Sequence, residues 1–189
     1  MGRGELQLAI LIETDNESAR TANAYLQRGE LRGLARRTAE ATADLCRSAG
    51  AEVMVVQGDV ARDEDCRKIV AAAAPWGRID ALINLVGGFA MGSVLETDLS
   101  LWQRMLTMNL TAAFLLSKAV LPHMLQQRTG RIVHVAARAA VEPFPGAAAY
   151  VVSKAGLAAL IRALALELAG SGVTVNGLLP TTIDTPANR

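Results

Sequence analysis

The chain has 189 residues, is 51% hydrophobic and only 4% aromatic, and carries a formal net charge of +1. That length holds one domain with a real core and is short for two. The near-neutral balance excludes a broad field that would gather nucleic acid or an anionic membrane.

The N-terminal apolar run Leu6–Ile12 is followed by Glu13 and Asp15 rather than by a small-residue cleavage site, so it does not read as a secretory signal. Leu6 stands where a myristoylation motif needs Ser or Thr. No run reaches the roughly 18 uninterrupted apolar residues of a membrane span. Cys46 and Cys66 lack metal spacing and read as free thiols of a reducing compartment. The expectation is a soluble, cytoplasmic protein.

In chain order, Leu6–Glu13 reads as a short buried strand. Asn16–Arg28 and Leu31–Ser48 read as helices, the second stopped by Gly50. Glu52–Gln57 is a β-branched strand that runs into Gly58-Asp59-Val60. Asp63–Ala74 is a helix with acids in its first turn, ended by Pro75. Ile79–Val86 is an apolar strand leading into Gly87-Gly88. Leu101–Gln127 is a long helix with Pro122 as an expected kink. Arg131–Val135 is a strand after Gly130. Ala148–Ala169 is a helix broken by Gly170 and Gly172, and Val173–Leu178 is the last strand, followed by a tail from Pro180.

From about residue 50 strands and helices alternate with short links. That pattern predicts an α/β fold, a doubly wound parallel sheet with helices on both faces. In such sheets the ligand crevice lies beyond the carboxyl ends of the strands. Asp59, the Asn84–Gly88 turn, the loop after Val135 and the tail after Leu178 all fall there.

Tyr150-Val-Val-Ser-Lys154 opens the helix after one of those loops. A phenol and an ammonium at i and i+4 share a helix face. A nearby fixed positive charge favours phenolate, which suits a proton donor or acceptor near neutral pH. Alone, the pair serves equally as a half-buried aromatic beside a solvated lysine.

Taken together, Asp59-Val60, Asn84-Leu85-Val86-Gly87, Asn109, Tyr150-x-x-x-Lys154 and Pro180-Thr181-Thr182-Ile183-Asp184-Thr185 make the chain from about Ala51 resemble the short-chain dehydrogenase/reductase family. The resemblance implies a Rossmann-like sheet and hydride transfer between NAD or NADP and a small-molecule carbonyl or imine. It implies Tyr150 as acid/base, with Lys154 lowering its pKa and binding the nicotinamide ribose. It implies Asn109 holding a water in a proton relay. Asp59 and Val60 would meet the adenine. Asn84, Val86 and Gly87 would form the cofactor turn. The Ile183 backbone and Thr185 would hold the nicotinamide carboxamide, with Pro180 among the cofactor-binding residues of the same tail. It also implies a homodimer or homotetramer through helices 101–127 and 148–169.

Three departures stand against the family pattern. Ala137 lies thirteen residues before Tyr150, where the family carries a catalytic serine; Ser153 on the helix would not replace it. The runs around Ala137 and after Leu179 look like the dihydropteridine reductase branch, whose reactive imine substrate needs less activation. The Gly-rich phosphate loop is absent: Thr14-Asp15-Asn16-Glu17-Ser18 follows the first run. That run is either the family's first strand with its loop replaced, or its second strand with Glu13 or Asp15 at the ribose position. The third departure is length, which predicts a sheet of about five strands rather than seven and a chain truncated at both ends. A rival reading is a catalytically impaired fragment that serves only in helix-bundle association. Both His123 and His134 read as structural.

Overall fold

The computed structural model describes the backbone of residues 7–13 and residues 39–183 in full. The chain divides into two compact units at Gly77–Arg78, and each is described by itself.

In the first unit, β1 (Gln7–Glu13) pairs in parallel with β2 (Glu52–Gly58), Gln7 opposite Glu52 and Glu13 opposite Gly58. Glu13 therefore lies at the carboxyl end of its strand, beside the strand that delivers Asp59. Asp15 and the rest of 14–38 lie outside the described residues. Helix α1 (residues 39–48) ends in a turn at Gly50, whose φ of +88° is the left-handed region glycine tolerates. Helix α2 (Asp63–Ala72) carries Asp63, Glu64 and Asp65 in its first turn, as its dipole favours. It stops two residues before the expected Ala74, because a 3₁₀ turn over Ala74–Trp76 takes Pro75 near its start.

In the second unit, β3 (Ala81–Asn84), β4 (Gly130–Val135) and β5 (Val173–Leu178) form a parallel sheet in the order β3-β4-β5. Asn84 is registered with His134, and His134 with Gly177. Residues on one sheet face (Asn84, Ile132, His134, Val173, Val175) are buried, while Arg131, Thr174 and Asn176 on the other are not. The five described strands match the expected number and form two parallel sheets, and the fold is Rossmann-like α/β.

Helix α3 (Leu99–Leu106) starts at Asp98, whose carboxylate accepts from Leu101 N–H at 2.7 Å. It passes through a π turn, Thr107–Thr111, into α4 (Ala112–Gln127), which runs unbroken through Pro122. Ser117 of α4 reaches His134, so α4 covers the buried sheet face. Helix α5 (Ala148–Glu167) covers the same face at β5, where Ile161 leaves no room for a Cβ on Gly177.

By mean hydropathy over 18 residues, Leu99–Gln127 and Ala148–Glu167 are both long and apolar enough to cross a bilayer, which counting uninterrupted apolar residues had not revealed. Half and a third of those windows are already buried against the protein, and a helix that packs a core passes the same test.

Candidate active site

Three loops leave the carboxyl ends of β3, β4 and β5 and are laced together by backbone hydrogen bonds. Gly92 N–H donates to Gly146 O and Ala148 N–H to Gly92 O, tying the loop after β3 to the start of α5. Ala136 N–H donates to Leu178 O and Arg138 N–H to Pro180 O, tying the loop after β4 to the tail after β5. Three of the four expected rim segments are thus tied together within this unit, with Pro180 pinned beside Ala137; Asp59 belongs to the first unit.

Lys154 is 6% exposed, and its Nζ donates to Val135 O at 2.9 Å. A Cβ built on Gly87 would stand 3.1 Å from that ammonium and 2.7 Å from Asn109 Oδ1. Gly87, Asn109 and Lys154 are therefore one cluster, and bare backbone is required where they meet. Burial lowers Lys154 to about 8.

Asn109 sits in the π turn and is fully buried. Its Oδ1 accepts from Gly88 N–H at 2.9 Å. Its Nδ2 donates to Gly88 O at 3.0 Å and to Ser153 Oγ at 2.9 Å. Both amide protons are committed inside the protein, so the side chain clamps the Gly88 backbone. Ser153 completes the clamp by donating to Tyr150 O at 2.7 Å. Its hydroxyl is spent there, in keeping with its inability to stand in for a serine at 137.

Tyr150 lies one turn before Lys154, half-buried, with Phe89 packed edge-on at a centroid distance of 4.9 Å. Burial pushes its phenol up, and the Lys154 ammonium one turn on is aimed at Val135 O. Ala137 is buried at the start of a 3₁₀ turn, Arg138–Ala140, and offers only a methyl group.

Asn84 Oδ1 accepts from Val86 N–H at 3.0 Å and closes the turn after β3. Ile183 is exposed, and Thr185 lies outside the described residues. In the first unit, Asp59 Oδ1 accepts from Ala61 N–H at 2.9 Å and Asp59 N–H donates to Asp65 Oδ2 at 2.9 Å. Val60 is fully buried, and its carbonyl accepts from Cys66 Sγ. Among the described residues no group of three or more His, Cys, Asp or Glu could hold a metal ion.

Sequence reasoning missed Ser153 as the anchor of Asn109, the Val135 carbonyl as the partner of Lys154, and Phe89 against Tyr150. Only Ser153 left a trace, as a serine three residues after Tyr150 on one helix face.

Residues 18–189 match the family described as short chain dehydrogenase. The 2-(R)-hydroxypropyl-CoM dehydrogenase of Xanthobacter autotrophicus is 35% identical over 73% of this chain and 57% of its own length. A solved short-chain dehydrogenase/reductase from Burkholderia xenovorans superposes with a TM-score of 0.74 at 36% identity, over 78% of this chain and 59% of that one. A Tyr-to-Phe variant of ElxO, solved with NADPH bound, gives 0.69 at 26% identity over 71% and 55%. This chain spans about half the length of the curated relatives it matches.

Proposed function

This chain belongs to the short chain dehydrogenase family, and we propose that it is an NAD(P)-dependent oxidoreductase that moves a hydride to or from a carbonyl or imine, with Tyr150 as the acid/base. The observation that carries this reading is the Lys154 ammonium, held by Val135 O over the bare backbone of Gly87 one helical turn after Tyr150. A side chain at residue 87 would fill that cradle, so the residues present fit the ribose and nicotinamide end of the cofactor. When bound, the nicotinamide supplies or takes the hydride.

The chain's own residues do the rest. Lys154 would donate to ribose hydroxyls from a position already fixed by Val135. Asn84 and Asn109 hold the Val86–Gly88 backbone from two sides. Ile183 and Thr185 would line the carboxamide from the tail that Pro180 opens, and Asp59 would meet the adenine; Val60, fully buried, has no side-chain surface to offer it. Tyr150, protonated because burial raises its pKa, is set to donate to a substrate oxygen or nitrogen as negative charge develops there. Ala137 offers that oxygen no hydroxyl, which favours a substrate needing little activation, such as a reactive imine.

A second reading, a catalytically impaired chain that keeps only helix-bundle association, is favoured by Ala137 and by the exposed Phe114, Val152 and Leu166 on α4 and α5. Under either reading the assembly is a homodimer or homotetramer through these two helices, in the cytoplasm, where Cys46 and Cys66 stay free thiols. Light scattering tests the assembly, and a strict monomer rejects it.

Titrating NADH and NADPH against intrinsic fluorescence tests the leading reading. Saturable binding supports it, and no binding at about millimolar cofactor removes it. Tyr150→Phe is expected to lose about 10²–10⁴-fold in turnover while keeping cofactor affinity. Unchanged turnover would assign the acid elsewhere.

A further inference from the structure

We propose that His134 is a positioning residue, which sets the orientation of the Asn84 amide and through it the shape of the Val86–Gly87 turn. The inference rests on the cofactor reading above and adds a residue to it.

His134 is 0% exposed and registered directly beside Asn84, which is 3% exposed. Its Nδ1 lies 3.1 Å from Asn84 Nδ2, and its Nε2 lies 3.0 Å from Ser117 Oγ. The Ser117 hydroxyl donates its one proton to Ala113 O at 2.8 Å. It can therefore only accept from His134, so the ring carries its proton on Nε2. Nδ1 is then an acceptor, and the group it faces must be the amide NH₂ of Asn84. That leaves Asn84 Oδ1 on the far side, where it accepts from Val86 N–H at 3.0 Å.

The direction of every bond follows from the first. A fixed helix carbonyl orients Ser117, Ser117 and the Asn84 amide select the same tautomer of His134, and His134 in turn holds the Asn84 NH₂ while Oδ1 closes the turn. With an apolar side chain at 134, the buried Asn84 Nδ2 would lose its acceptor, and only the Val86 N–H would still hold the amide. An amide that turned to find that NH₂ another partner would draw Oδ1 off the Val86 N–H, and the turn would open. The turn it opens carries Gly87, which lies against Lys154 and Asn109. A histidine that only filled space would not need this alignment.

Three variants separate positioning from bulk stability, read by hydrogen exchange at the Val86 amide and by NADH affinity. His134→Leu should speed Val86 exchange and weaken NADH about 10-fold each, the effect of one lost buried hydrogen bond. His134→Gln, whose amide offers one acceptor and one donor, should restore both. Ser117→Ala should lower the melting temperature yet leave both readouts within about 3-fold, because Asn84 still selects the tautomer. The proposal is overturned if the Leu variant keeps Val86 protection, or if Ser117→Ala matches the Leu variant in both readouts. Wild-type protein that binds no NADH removes the cofactor reading, while Val86 exchange still decides whether His134 sets the turn.

Discussion

Asn109 holds Gly88 by both its backbone groups, accepting from its N–H at 2.9 Å and donating to its carbonyl at 3.0 Å. A side-chain amide that engages the peptides on both sides of one residue fixes the loop in position and orientation. The neighbouring Gly87 must pass between this clamp and Lys154. Gly87→Ala would place a methyl group 2.7 Å from Asn109 Oδ1 and 3.1 Å from Lys154 Nζ. The expected outcome is a loss of about 1–3 kcal/mol in stability and weaker cofactor binding. Denaturant melts and NADH titration check both. A variant with wild-type stability and affinity would show that the loop has room the structure does not grant it.

A hydroxyl at residue 137 is expected to add activity. The Ala137 methyl stands at the start of the 3₁₀ turn, a position where serine is well tolerated. Ala137→Ser should raise kcat/KM on an unactivated ketone by about 10²-fold, the order measured for single donors to a developing oxyanion. NADH affinity should stay the same. No gain on ketones would mean that residue 137 does not face the reacting atom.

Lys154 ionises at about 8, lowered by burial. Below that pH the ammonium is charged and in place to hold a ribose. The rate of reduction should therefore fall as pH rises through about 8. Lys154→Arg keeps its charge to far higher pH, so its profile should lose that limb even if the overall rate drops. A limb that stays near 8 in the Arg variant would belong to another group.

His134 gives a dependence at lower pH. Burial holds it at about 4, below its ordinary 6.5. The unfolded chain therefore binds the proton first as pH falls. Stability from this residue is complete above about 6.5 and is lost as pH drops toward 4, by up to about 3 kcal/mol. The difference in unfolding free energy between wild type and His134→Gln, measured across this range, isolates the term. A difference that does not vary with pH would contradict it.

The periodic features were readable from the chain alone. β4 and β5 fall within a residue of expectation, because each is a short β-branched run bounded by glycine. The expected Ile79–Val86 shortened to Ala81–Asn84 because the Asn84 side chain takes the Val86 N–H and so ends the ladder. Tyr150, Lys154 and Asn109 were found as residues, but their partners were not. Val135 is 19 positions from Lys154, and Asn84 is 50 from His134. No local pattern encodes pairs that only strand register and helix packing bring together. His134 illustrates this best: as an isolated histidine on a strand it read as structural, and its bond directions emerged only once Ser117 and Asn84 stood on either side.

The π turn has one more implication. Ala112 N–H reaches back five residues to Thr107 O, so Thr107–Thr111 holds one residue more than a regular helical turn needs. Deleting a single residue there would let α3 and α4 join as one straight α-helix with better backbone bonding. It would also rotate everything before the cut by about a quarter turn relative to everything after it, and Gly88, Ser153 and His134 could no longer all be served from one helix. Loop anchoring on one side of the turn and sheet packing on the other are thus held in phase by one surplus residue, and a shorter, smoother helix would be sturdier by itself and useless to the site.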